Sequence, residues 1–130
     1  MKFLIILLIL FSTSLAFADT GYVSAQISSD VHTLTVGNQI MITTDISNNQ
    51  NTQQSFAYLT QVKDEHQAVI SLSWLTGSLS PRQSFSPAQS WTPTESGLYV
   101  IEIFVWESID NPEALSPPLS MTVTVVDPNT

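Results

Sequence analysis

Trp91–Trp106 reads WTPTESGLYVIEIFVW, a turn followed by one long strand. Pro93, Ser96 and Gly97 mark the turn. From Leu98 to Trp106 every residue except Glu102 is apolar or aromatic, with the β-branched and aromatic types that fit a pleated, half-buried surface. Side chains alternate along a strand. Tyr99, Ile101, Ile103 and Val105 therefore form one face, read as the inner one, and Leu98, Val100, Glu102, Phe104 and Trp106 form the other. A strand apolar on both faces is either covered on both sides or displays a contact patch. The covering account, favoured here, folds the following proline-rich loop over Phe104 and Trp106. The contact account has these aromatics, with Tyr58 from a neighbouring strand, meet another protein or a glycan.

Short β-patterned runs separated by turn signals fill the chain on both sides, the pattern of a sandwich or barrel. Tyr22–Ser28 and Thr33–Val36 are the first two strands. Gly37-Asn38 turns the chain into Gln39–Ser47, where Ile40, Ile42 and Ile46 point inward and Gln39, Thr43 and Asp45 outward. Asn48–Gln54, NNQNTQQ, is read as a loop that nothing apolar anchors, since amide side chains compete for backbone hydrogen bonds. Ser55–Lys63 and Val69–Leu75 follow, joined by a hairpin turn over Asp64–Gln67. In the second of them Ile70, Leu72 and Trp74 share one face and Ser71 and Ser73 the other. Gln83–Trp91 is interrupted by Pro87, which lacks the N–H a central strand needs, so an edge position is expected. Glu107–Pro118 is a long loop with three prolines. Leu119–Val126 closes the series, with Leu119, Met121, Val123 and Val125 inward. Eight candidate strands and almost no helical periodicity after the amino-terminal segment point to an all-β chain.

The amino terminus stands apart. Lys2 precedes an unbroken apolar run, Phe3–Phe11, and Ala16-Phe17-Ala18 places small residues where a signal peptidase reads them. The run is short of the roughly 20 apolar residues that span a bilayer. Residues 1–18 are therefore read as a secretory leader, 19–126 as the folded domain and 127–130 as a tail, with a retained anchor as the competing reading. Cleavage after Ala18 leaves 112 of the 130 residues. A chain of that length buries about 65% of its unfolded surface, enough for one core without covalent staples. It has no cysteine, so packing and strand pairing must hold it. Loss of Lys2 leaves Lys63 and Arg82 against eleven acidic side chains, a formal charge of −9. Such a surface disfavours nucleic acid and anionic lipid, both of which need clustered Lys and Arg.

In Glu95–Ile101, ESGLYVI, the glycine frees a sharp corner and Tyr99 opens the following strand. This resembles the tyrosine corner of immunoglobulin-like sandwiches, in which the hydroxyl bonds back to the preceding corner. Ile101 stands where antibody domains carry a cysteine, and Trp74 is a candidate core tryptophan. VGNQIMITTDISNN from Val36, SWTPTESGLYVIEIFVW from Ser90 and PPLSMTVTV from Pro117 together resemble the cell-adhesion-related, CARDB-like modules of secreted bacterial and archaeal surface proteins. The resemblance implies an immunoglobulin-like two-sheet antiparallel sandwich of about seven to eight strands. It also implies a non-enzymatic role in adhesion or protein–protein contact, with Gly97 and Tyr99 as structural residues and no catalytic or cofactor-binding ones.

Chemistry-bearing residues are sparse. No HExxH, CxxC or GxSxG pattern occurs. His32 and His66 lie near separate turns; a copper site built from them with Met41 and Met121 has no short-range pairing to support it, so exposed turn histidines are the preferred reading. Glu107, Asp110, Asn111 and Glu113 crowd the proline loop with the hard oxygen ligands that suit calcium. Their spacing fits no calcium-loop pattern, and a solvated acidic loop is preferred. Phe104, Trp106, Asp110 and Asn111 are the candidate partner-contact residues. Two other roles stay open: a pilin-like filament subunit linked by strand addition, and an extracytoplasmic metal-binding protein.

Overall fold

Nine strands form among residues 22–128, the part of the chain that the computed structural model describes: β1 Val23–Ile27, β2 Thr33–Thr35, β3 Ile40–Asn48, β4 Gln54–Lys63, β5 Val69–Leu79, β6 Ser84–Phe85, β7 Ala88–Trp91, β8 Gly97–Trp106 and β9 Leu119–Val126. The expected leader, residues 1–18, lies outside the described residues, as do 129 and 130 of the tail. No helix occurs among the described residues.

The strands make two sheets. In the first, β3 pairs with β1 along one edge and with β6 and then β7 along the other, all antiparallel. The second runs β2-β9-β8-β4-β5. The two-sheet sandwich expected from about seven to eight antiparallel strands is present, and it differs from that expectation in two details. Pro87 divides Gln83–Trp91 into β6 and β7; it donates nothing, but its carbonyl still accepts from Thr44 N at 3.2 Å, so both pieces stay on β3. β2 pairs with β9 in parallel. The link from β1 to β2 contains no turn, so the chain crosses to the other sheet without reversing.

Alternation fills the space between the sheets. Ile42 and Ile46 of β3 meet Tyr58 and Val62 of β4, Ile101, Ile103 and Val105 of β8, and Val123 and Val125 of β9, in one buried cluster. Apolar burial of this kind stabilises by about 25 cal/mol per Å² removed from water. Tyr58 belongs to this core and not to a contact face. Its hydroxyl is hydrogen-bonded to Thr44 Oγ1 at 2.9 Å, tying one sheet to the other.

Asn48 overturns the reading of NNQNTQQ as unanchored. It ends β3 with only 1% of its surface exposed. Its Nδ2 donates to the carbonyls of Thr52 (2.9 Å) and Ser80 (3.0 Å), and its Oδ1 accepts from Gln50 N at 3.1 Å. One amide thus satisfies backbone groups from two loops that would otherwise be buried without partners.

β5 holds the largest departure. Ile70, Leu72 and Trp74 do share a face, but it is the solvent face, where they are 47%, 48% and 56% exposed. The register decides this. Ser71, Ser73 and Leu75 pair with Val62, Thr60 and Tyr58, whose side chains face the core, so Leu72 and Trp74 must go outward with their partners Gln61 and Leu59. Trp74 is therefore not the core tryptophan. Trp91 fills that role, 8% exposed and edge-on to the Tyr99 ring at a centroid distance of 5.2 Å.

Candidate interaction surface

The outer face of the five-stranded sheet is built by the pairing of β5, β4 and β8. Trp74, Leu59 and Phe104 lie in one cross-strand row, and Thr76, Ala57 and Trp106 in the next. Leu59 and Ala57 face outward yet are buried, so the large side chains beside them close over them. The Phe104 and Trp106 rings contact each other at 5.8 Å. In the next row along, Glu102 Oε1 accepts from Gln61 Nε2 at 2.8 Å and lies 3.3 Å from Lys63 Nζ. The acid on this face is thereby neutralised. What remains is a flat apolar patch on a chain of net charge −8.

The proline loop is tied to the end of β8 that carries Phe104 and Trp106. It returns along the edge of β8, where Ala114 bridges to Trp106, Leu115 N donates to Val105 O at 2.8 Å and Glu107 N to Glu113 O at 3.0 Å. Leu115 and Ser116 are buried there, while Phe104 and Trp106 keep intermediate exposure.

Glu107 and Asn111 come together within this loop, but the Asn111 amide donates to the Glu107 carboxylate. Asn111 N also donates to Ser108 Oγ at 2.9 Å. The pair closes a turn on itself and aims an N–H, where calcium would need an oxygen. Asp110 sits exposed at the tip. Among the described residues no group of three or more His, Cys, Asp or Glu side chains is placed to hold a metal ion. His32, beside β2, contacts the exposed Asp30 carboxylate at 2.9 Å. His66 lies at the β4–β5 turn, at the opposite edge of the same sheet, Met41 is exposed, and Met121 packs partly buried against the core. The copper quartet is not assembled.

The sequence also hid a cleft of about 440 Å³ at one end of the sandwich, lined by Asp64, Glu65 and His66 on one side and by Trp91, Glu95 and Tyr99 on the other. Residues some thirty positions apart meet there only because β4 pairs with β8. Asp64 shapes one wall: its Oδ1 accepts from His66 N (2.8 Å) and Ala68 N (3.0 Å), and these two bonds hold its pKa below the ordinary 3.8. Tyr99 shapes the other, donating its hydroxyl to Glu95 O at 2.8 Å. Burial, and then the carboxylates of Glu95, Asp64 and Glu65, push its pKa above 10.0. Gly97, at φ 147°, provides the corner.

No family model matches the chain, and no curated protein matches it. Solved structures do. The CARDB domain of a Pyrococcus furiosus protein, crystallised in complex with di-metal ions, superposes with a TM-score of 0.63 at 18% identity, over 80% of this chain and 87% of that one. The solution structure of the same CARDB domain gives a TM-score of 0.63 at 20% identity, over 81% and 94%. A β-glucosidase from Listeria innocua in complex with glucose gives 0.62 at 14% identity, but the match takes in 79% of this chain and only 16% of the enzyme. The architecture is thus an immunoglobulin-like sandwich of the CARDB type. These likenesses, all at low identity, speak for the fold alone.

Proposed function

We propose that this chain is a secreted, non-enzymatic immunoglobulin-like module that works in adhesion or protein–protein contact at the cell surface, using the outer face of its five-stranded sheet. The observation that carries the reading is the row of half-exposed Ile70, Leu72 and Trp74 continuing into Leu59, Phe104 and Trp106. Contiguous exposed apolar surface marks contact sites in soluble proteins, and tryptophan is prominent among residues that dominate binding energy. The leader pattern supports export, and the acidic balance is the wrong sign for nucleic acid.

The test compares native protein with Trp74→Ser for binding to the surface of the cells that produce it. Loss of a central aromatic anchor is expected to weaken binding by tenfold or more, on the order of 2 kcal/mol, in a protein that still unfolds cooperatively well above the assay temperature. Equal binding by the two proteins would remove this face from the account. A filament subunit is the second reading, favoured by the outer edge of β5, which no other described strand pairs with, and particle size separates it from a free module.

A further inference from the structure

β5 ends the five-stranded sheet and pairs only with β4 among the described strands. It runs eleven residues, VISLSWLTGSL, without a charge or a proline. Exposed edge strands are usually blunted by lysine, proline or brevity, because unpaired N–H and C=O groups recruit another strand. This edge has none of those three devices, and its one irregularity is the extra residue at Ile70, near its start, where the register with β4 shifts. Its two flanking turns carry opposite charges. The turn before it holds Asp64 and Glu65, and the turn after it holds Arg82, one of only three cations in the chain. Arg82 is exposed, donates Nε to Asn51 Oδ1 at 2.9 Å, and has no carboxylate partner among the described residues.

We propose that β5 is the seam of a homodimer, in which two copies pair β5 to β5 antiparallel and merge their five-stranded sheets into one of ten. The inference rests on reading this sheet as the contact surface, and it names a second copy of the chain as the partner. Antiparallel pairing about a two-fold axis brings the acidic turn of each copy to the basic turn of the other, so the charge match occurs twice. A register centred on Ser73 sets Trp74 of each copy opposite Leu72 of its partner, with the turns at the two ends of β5 beyond the paired segment. Aromatic–aliphatic cross-strand pairs are stabilising, and the strand has no like charges to oppose them. The outer apolar faces of the two copies then become one continuous surface. An isologous contact of this kind closes at two copies and leaves no second β5 edge for a third.

Sedimentation velocity on the full mature chain, from micromolar to about 1 mM, tests this. A concentration-dependent dimer is expected. Leu72→Lys with Trp74→Lys sets lysine opposite lysine twice at exposed positions and is expected to leave a folded monomer. Arg82→Glu is expected to weaken association about tenfold, as two surface ion pairs are lost together, and Glu65→Arg in the same chain to restore it. The restoration separates a charge contact from a merely structural effect of either change. Monomer throughout, a dimer indifferent to these variants, or open-ended assemblies would each overturn the proposal. A monomer whose cell-surface binding still depends on Trp74 would overturn the dimer and leave the contact face standing.

Discussion

Replacing Tyr99 with phenylalanine removes one oxygen and leaves the ring free to pack against Trp91 as before. The lost hydrogen bond runs 2.8 Å to Glu95 O, in the corner that joins the turn to β8. Leaving a buried acceptor unpaired costs about 1–3 kcal/mol. This carbonyl is only partly buried, so water replaces some of what is lost and the lower part of the range, about 1–2 kcal/mol, applies. For a domain of about 100 residues that corresponds to a fall of roughly 5–10 °C in the melting midpoint. The assay is thermal unfolding followed by far-ultraviolet circular dichroism, with urea titration as a second measure. An alkaline series sharpens it. Tyr99 holds its proton more tightly folded than unfolded, since its pKa lies above 10.0. The associated stability is therefore complete below pH 10.0 and is lost as pH rises through the folded value. Phenylalanine has no proton to lose, so the gap between the two proteins should narrow in strong base. Superimposable unfolding curves at neutral pH would refute the reasoning, because they would mean that the hydroxyl bond contributes nothing net.

Two further outcomes follow from the same geometry. Asn48→Ala should cost about 2–3 kcal/mol in urea unfolding, since it strands backbone groups of two loops at a site closed to water; Asn48→Asp should do no better, having no N–H to donate to Thr52 O and Ser80 O. Asp64→Ala should lower the melting midpoint at neutral pH by loosening the β4–β5 turn. That difference should shrink as pH falls below 3.8 and through the depressed folded value of Asp64, where native protein loses the same two bonds.

Several features were legible in the residues. The division of Leu98–Trp106 into Tyr99, Ile101, Ile103 and Val105 against Phe104 and Trp106 needs only the two-residue repeat of a strand, and β8 follows it. Pro87 announced an edge segment because it has no N–H to donate, and β6 and β7 lie at the edge of their sheet. Other features were not legible. The alternation in β5 sorts Ile70, Leu72 and Trp74 from Ser71 and Ser73, but either set can face the core in an edge strand covered on one side. Hydrophobicity pointed to the apolar set, and the pairing with β4 placed the serines inward instead. Tyr58 and Leu59 are adjacent and both apolar in body, so composition does not say which faces out. Thr44, on the other sheet, holds the Tyr58 hydroxyl inside and leaves Leu59 to the outer patch.

The residues alone determined that this is an all-β chain and that a glycine–tyrosine corner precedes β8, although β5 continues to Leu79 through Gly77–Leu79, which reads as the start of a turn. These follow from local physics: alternation, turn chemistry and the missing donor of proline. The tertiary structure alone decided which face of β5 meets water, that Asn48 plugs two loops, and that an acidic cleft forms between distant turns. Each depends on which strands become neighbours and in what register, and a one-residue slip in pairing would reverse every such assignment while leaving the local pattern unchanged.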